Sequence, residues 1–375
     1  MDKIETKRKI VTLVLTHQCN LRCTYCYEEH KDDHVMRYEQ AVEILDNEFR
    51  FDDGYDEIEI DLFGGEPLLE FDLIVRLVDF VKNGCYRKPF IFFASTNGVL
   101  LTDEMKKWFV DNRDYIMLGL SLDGTREMHN LNRCGSFDKI DLDFFVKTYG
   151  IQPVKMTVSQ ETLPMLAEGV IFIQRSGFTV DCNLAYGIDW SDKNNRKILC
   201  DQLKKLMEFY FDNTQLEVCS MLDIKRIFMV SYSDKNKGSL RVCGSGSAMK
   251  AYDCDGESYA CQFFLPLSIG EEKARKSKSI VFPKHEIPDD LADPKCKSCI
   301  LRNCCMHCIG SNYAATGNIY QHDETMCELF KIQFKAIAYF ALKRFQKKQI
   351  RFISELELAT ILKSALLIDE KVKID

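Results

Sequence analysis

Three cysteines within eight residues, Cys19, Cys23 and Cys26 in the stretch CNLRCTYC, are the first place where this chain could do chemistry. Three thiolates in so short a loop can hold three irons of a [4Fe–4S] cube and leave the fourth iron open, whereas a four-cysteine cluster is coordinatively closed. Zinc is the other reading of Cys-x2-Cys, with His17 and His30 available to complete it. A redox dithiol at Cys23 and Cys26 would not be expected to carry a third cysteine. A second field runs Cys243-x12-Gly256-x4-Cys261, then Cys296-x2-Cys299-x5-Cys305-x2-Cys308, then Cys327. Seven thiols cannot all serve one metal, and two zinc ribbons are one way to divide them. Cys254 and Cys304 stand beside this series as ambiguous neighbours. The remaining five, Cys85, Cys134, Cys182, Cys200 and Cys219, read as small buried hydrophobes.

The composition bounds what these thiols are for. The chain has 375 residues, 17 of them cysteine, with 46% hydrophobic and 29% charged residues, so disorder and low complexity are excluded. A net charge of −7 argues against a surface that coats nucleic acid. The apolar run at 10–15 is too short for a signal peptide, and nothing approaches the roughly 18 apolar residues of a membrane span. The expected compartment is the cytoplasm, where clustered cysteines are more often metal ligands than disulfides. The odd count suits complete disulfide pairing poorly.

The elements that must position the first loop follow from periodicity. Strand patterns fall at 10–15, 57–63, 90–94, 115–120, 154–158 and 179–185, separated by helical patterns at 38–51, 71–81, 102–110 and 163–174. Such alternation implies a parallel sheet, either open and doubly wound or a partial barrel, with its chemistry at the carboxyl ends of the strands. Four successive strand ends carry small and polar signatures: the cysteine loop, Gly64-Gly65-Glu66-Pro67, Ser95-Thr96-Asn97-Gly98 and Ser121-Leu122-Asp123-Gly124. They are expected to converge on one site, although Asp123-Gly124 would also suit a plain turn. Residues 195–230 read as helical and 330–367 as a further helical segment, whose basic run at 344–351 reads as a solvated face. Between them the chain is cysteine-rich and irregular, with a turn at Asp255-Gly256.

In this order the four motifs resemble the radical SAM superfamily, over most of residues 10–190. The resemblance implies a partial (β/α)6 TIM-type barrel whose three cysteines bind a [4Fe–4S] cluster that chelates S-adenosylmethionine. Reductive cleavage of the S–C5′ bond would then yield a 5′-deoxyadenosyl radical that abstracts hydrogen from substrate. On the same resemblance Tyr25 lies beside the adenine, Gly65 and Glu66 receive the amino group, and Ser121 and Arg133 hold the carboxylate, for which a guanidinium fork is well suited. The second field resembles the SPASM domain, which carries up to two auxiliary [4Fe–4S] clusters. Cys243, Cys261 and Cys308 would belong to the first; Cys296, Cys299, Cys305 and Cys327 would close the second. The usual SPASM spacing ends x5 and x3. Here it is x5 and x2 through Cys305, or x4 and x3 through Cys304. Cys305 is preferred because related peptide maturases share the shorter spacing followed by an Asn-Tyr like Asn312-Tyr313. The first auxiliary cluster lacks an obvious fourth ligand; Cys254 or Cys219 would fill it, or its iron is open to substrate.

The resemblance divides the chain into a barrel with bridging helices (1–230), a SPASM domain (231–330) and a C-terminal helical segment (331–375). It implies a maturase that cross-links a ribosomally made precursor peptide through a thioether or carbon–carbon bond. Flavodoxin or ferredoxin would be the external electron donor, with no nucleic-acid or membrane partner. Sulfatase-maturing members carry an aspartate base directly after the cysteine matching Cys261, where this chain has Gln262. An amide cannot take up a proton at neutral pH, so that oxidation is demoted to an alternative. Peptide epimerisation is another, and a zinc-binding scaffold the non-enzymatic one. With so few residues ahead of the first strand, leader recognition is expected from the barrel, the C-terminal helices or a partner protein.

Overall fold

A computed structural model describes residues 7–150, 152–231, 239–240, 243–283, 286–288, 290–305, 308–322, 324–351 and 353–374. In chain order the elements are β1 (Arg8–Thr16), α1 (Tyr38–Arg50), β2 (Glu57–Gly64), α2 (Phe71–Asn83), β3 (Phe90–Thr96), α3 (Asp103–Asp111) and β4 (Ile116–Leu120). Next come α4 (Arg126–Asn132), α5 (Leu142–Tyr149), β5 (Pro153–Val158), α6 (Leu166–Arg175), β6 (Thr179–Leu184) and α7 (Asn194–Asp212). The cysteine-rich region holds β7 (Ser239–Leu240), β8 (Met249–Tyr252), β9 (Ser258–Tyr259), α8 (Pro266–Ile269), α9 (Glu271–Ser277), β10 (Glu286–Ile287), α10 (Pro294–Lys297) and α11 (Ile309–Thr316). Two longer helices follow, α12 (Glu324–Gln346) and α13 (Glu355–Lys371). The strand–helix alternation through β6 is the parallel α/β architecture that the periodicity implies.

Contacts divide the chain into two compact units. The first comprises Met1–Ser121, Ser136–Gln152 and Cys243–Lys284. Its sheet has the order β4-β3-β2-β1-β8-β9, with β1 to β4 parallel, β8 parallel to β1, and β9 antiparallel at the edge. Alternation in β2 buries Ile58, Ile60 and Leu62, while β1 buries Val11, Leu13, Val14 and Leu15 almost completely. The apolar faces of α1 and α2 supply Leu45, Ile74, Leu77 and Val78. Each such side chain contributes about 1.5–3 kcal/mol on leaving water, which holds the strand ends in fixed register. β8 lies where the sequence reads as irregular. Only one of its four side chains is buried, so periodicity had nothing to detect.

The second unit comprises Leu122–Gly135, Pro153–Val242 and His285–Asp375. Here β5 and β6 pair in parallel, and Leu122 N–H donates to the Lys155 carbonyl at 2.9 Å. Phe334, Ile337 and Ala341 of α12 pack with Ile361, Ala365 and Ile368 of α13 in one apolar cluster. The helical stretch expected at 330–367 is therefore two helices. They are separated at Lys348, which adopts a positive φ of 56°, and the second begins on a capping box of Ser354 and Glu357. Helix likewise gives way early in 195–230: α7 stops at Asp212, and 3-10 turns at Ser220–Leu222 and Ile224–Val230 follow. Cys85 and Cys134 are exposed, which corrects their assignment as core residues. Neither sits on the apolar face of a helix or strand.

Candidate active site

Within the first unit the strand-end motifs are wired to one another. Gly65 N–H donates to the Thr16 carbonyl (3.0 Å) and Glu66 N–H to the Gln18 carbonyl (2.9 Å), so the loop after β2 lies directly on the start of the cysteine loop. This approach requires glycine: a Cβ on Gly64 would stand 2.1 Å from the Thr16 carbonyl oxygen, and one on Gly65 2.2 Å from that of Gln18. Glu66 is 2% exposed. Its carboxylate accepts from the Thr96 hydroxyl (2.8 Å), the Asn97 N–H (2.8 Å) and the Leu68 N–H (3.2 Å). The Asn97 amide donates to Asn20 Oδ1 at 2.8 Å, between the first two cysteines. Ser121 N–H donates to the Thr96 carbonyl at 2.9 Å, which brings the end of β4 beside that of β3. Four strand ends meet, as the motif positions imply.

Cys19, Cys23 and Cys26 are each partly exposed. Leu21 N–H donates to Cys19 Sγ (3.4 Å), and burial pushes that thiol up to about 11. Lys31 Nζ lies 3.0 Å from Cys26 Sγ. Tyr25 is half-buried in the same loop. Beyond the last cysteine, the Tyr27 ring stacks on Phe263 with centroids 4.3 Å apart. That contact seats Gln262, the departure from the sulfatase-maturing pattern, one residue from the wall of the cysteine loop.

His17, two residues before Cys19, is 5% exposed and bridges Asp32 (2.8 Å) and Asp253 (2.7 Å) through its two ring nitrogens. Burial disfavours its charge, but hydrogen bonds to Asp253 and Cys254 outweigh that and push the imidazole up to about 11. His17 therefore acts as a charged clamp on the first loop, engaged with carboxylates. The Cys254 thiol donates to the Val14 carbonyl at 3.2 Å on the same clamp.

The second unit contains Arg133, 8% exposed. Its Nε and Nη2 donate to the Asp123 carboxylate at 2.8 and 3.3 Å. Asp123 is fully buried and also accepts from Thr157 N–H (2.9 Å) and Asn132 Nδ2 (3.2 Å). The chain does turn at Asp123-Gly124, where Gly124 has a φ of 78°, and the Asp123 carboxylate in addition aims the guanidinium. His129 Nδ1 accepts from Asp123 N–H (3.3 Å), and burial, then the nearby Arg133 charge, lower its pKa to about 4.

The later cysteines fall in both units. In the first, burial raises Cys261 to about 11, with the Cys243 thiol near enough to add to the effect. In the second, Cys296, Cys299, Cys305 and Cys327 line one cavity of about 520 Å³ together with Trp190 and His322. Cys304 is turned away: its thiol donates to the Leu301 carbonyl at 3.2 Å and feels the Arg226 charge. Cys308 caps α11, its sulfur accepting from Ser311 N–H at 3.4 Å. Cys219 is buried in the second unit, its backbone N–H donating to the Tyr210 hydroxyl at 2.9 Å. The sequence signalled every thiol of these groups, but not the His17 clamp or the Asp123 anchor, whose partners lie up to 236 residues away.

Residues 13–141 match the Radical SAM superfamily. Over these residues the chain is similar to a family that binds a [4Fe–4S] cluster and S-adenosylmethionine. It is 24% identical over 355 residues to the cysteine-type anaerobic sulfatase-maturating enzyme of Clostridium novyi, covering 84% of this chain and 91% of that protein. It is 21% identical to the radical SAM cyclopropyl synthase TigE of Paramaledivibacter caminithermalis, over 90% of this chain and 76% of that one. A match to the uncharacterized protein MJ0907 of Methanocaldococcus jannaschii, at 28% identity, spans 58% of that protein and 44% of this chain. Among solved structures, anSMEcpe with bound AdoMet superposes with a TM-score of 0.68 at 19% identity, covering 96% of this chain and 98% of the other. Streptococcus suis SuiB bound to precursor peptide SuiA gives 0.51 at 14% identity, over 85% of this chain and 76% of that one. At these identities the structural likeness is one of fold.

The residues present fit the family's cofactors. The first loop offers three thiols, the donor set for a cube with one open iron, and the glycine pair keeps the neighbouring loop against it without a side chain in the way. The four thiols around the cavity in the second unit suit a closed auxiliary cluster.

Proposed function

We propose that this protein is a peptide maturase that installs a thioether or carbon–carbon cross-link in a ribosomally made precursor. The observation that carries the reading is the pairing of a three-thiol loop with a four-thiol cavity, together with Gln262 where a sulfatase maturase would need a base. Cys19, Cys23 and Cys26 would hold the first cluster, and Cys296, Cys299, Cys305 and Cys327 a second. Cys243, Cys261 and Cys308 would contribute to a third. When bound, the first cluster with S-adenosylmethionine supplies a carbon-centred radical able to take a hydrogen atom from an unactivated position.

The chain's own residues do the rest. Tyr25 would flank the adenine, Gly65 and Glu66 would receive the amino group, and Ser121 with Arg133 would hold the carboxylate. Asp123 fixes the guanidinium beforehand, so little side-chain entropy is lost on binding. Closing a cross-link would remove two hydrogens from the peptide, one as a hydrogen atom and the other as a proton to solvent plus one electron; Cys296, Cys299, Cys305 and Cys327 would hold the group able to take up that electron. An external one-electron donor such as flavodoxin or ferredoxin would start the cycle. Solved structures similar to this chain include anSMEcpe with a bound peptide and SuiB bound to precursor peptide SuiA, and both support a peptide substrate.

The test is anaerobic reconstitution followed by mass spectrometry of a short peptide encoded beside the gene. A loss of two hydrogens per link, with fragmentation blocked across the link, is the expected result. Unchanged mass with deuterium taken up from solvent would mean epimerisation. Conversion of a cysteine or serine to an aldehyde would mean sulfatase-type oxidation. Bound zinc without acid-labile sulfide would rule out the enzyme reading altogether.

A further inference from the structure

We propose that Lys31 tunes the first cluster: its ammonium, hydrogen-bonded to the Cys26 sulfur, makes that cluster easier to reduce. The proposal rests on the reading of Cys19, Cys23 and Cys26 as cluster ligands. Lys31 Nζ lies 3.0 Å from Cys26 Sγ and 2.6 Å from the Glu28 carbonyl, with the Glu28 carboxylate at 3.9 Å. The Lys31 side chain is 24% exposed and that of Glu28 8%. Two short contacts within one turn of chain hold the charge in place, and water screens it only in part. Most ion-paired lysines here, Lys155 on Asp181 or Lys276 on Glu272 among them, have a carboxylate as closest partner. Lys31 directs its charge at a sulfur and a carbonyl, five residues past the last cysteine of the loop.

A cluster gains one negative charge on reduction, and the ligand sulfurs carry much of it. A cation donating to one of those sulfurs stabilises the reduced form more than the oxidised form and so raises the potential. This matters where an electron must be delivered to S-adenosylmethionine, because the donor has to fill the cluster before any bond breaks.

The experiment is a redox titration of the reconstituted holoenzyme by electron paramagnetic resonance. The signal followed is the one that changes when S-adenosylmethionine is added, which separates the first cluster from any auxiliary ones. In Lys31→Met, the ratio of reduced to oxidised cluster at the wild-type midpoint should fall about tenfold, a negative shift of about 59 mV for a one-electron couple. Lys31→Arg, which keeps the charge, should stay near wild type. Lys31→Gln keeps a donor without charge and should follow Lys31→Met. A wild-type midpoint in Lys31→Gln or Lys31→Met at full iron and sulfide content would overturn the proposal. Absence of any signal responsive to S-adenosylmethionine in the wild type would instead remove the cluster reading, and the proposal with it.

Discussion

At the scale of single residues, the buried pair of Asp123 and Arg133 sets the terms on which an anion could be bound. A guanidinium in such a place is costly unless its geometry is held by a partner. Asp123 provides that partner and is itself fixed by Thr157 and Asn132. Asp123→Asn removes the counter-charge but not the volume. We expect a loss of about 3 kcal/mol in unfolding free energy, read from urea denaturation. We also expect weaker binding of S-adenosylmethionine by calorimetry, with Ser121→Ala weakening binding but sparing stability. Asp123 was legible only as part of a motif. Its role was not, because the backbone N–H that it accepts belongs to Thr157, and no local pattern links a strand end to a strand 34 residues later.

At the scale of elements, the site depends on two loops touching backbone to backbone. Gly65→Ala places a methyl group 2.2 Å from the Gln18 carbonyl, and neither loop can give way without disturbing Cys19, whose Cβ lies 2.9 Å from the same position. The expected outcome is unchanged far-UV circular dichroism with a clear fall in iron bound per chain by colorimetric assay. Retention of full iron would mean that the loop yields more readily than this geometry allows. The four strand-end motifs were readable because each combines an apolar run with a small polar signature, two strong local signals. β8 was not, since a four-residue strand with one buried side chain leaves no periodicity to read. The split between α12 and α13 escaped although Ser354-x-x-Glu357 is a capping-box signature, because helix formers on both sides of Lys348 hid the break.

At the scale of the whole molecule, pH reports on packing through His129. Its pKa is lowered to about 4 from an ordinary 6.5, so between those values the unfolded chain binds the proton and the folded one does not. Stability from this group therefore rises with pH from about 4 to about 6.5 and is level on either side. His129→Gln, which can still accept from Asp123 N–H, should flatten that part of the stability profile measured by thermal melts at closely spaced pH. A slope identical in both proteins would place the effect elsewhere. The alternation of strands and helices made the architecture legible, since it is imposed by burial on both faces of a parallel sheet. The division into two units was not legible, because each unit is assembled from three separated stretches of chain.

The pairing of β8 with β1 has a practical consequence. From Ile10 to Leu13, β1 has β8 on one side and β2 on the other. A fragment cut before residue 243 would leave a row of unpaired amides and carbonyls along β1, flanked by Val11, Leu13 and Val14. Such an edge recruits other chains. The shortened protein should scatter light and sediment as aggregate where the full chain does not, even though all three cysteines of the first loop remain. The stretch that carries β8 is thus no removable appendage: it covers the edge of the strand that leads into the first cysteine loop.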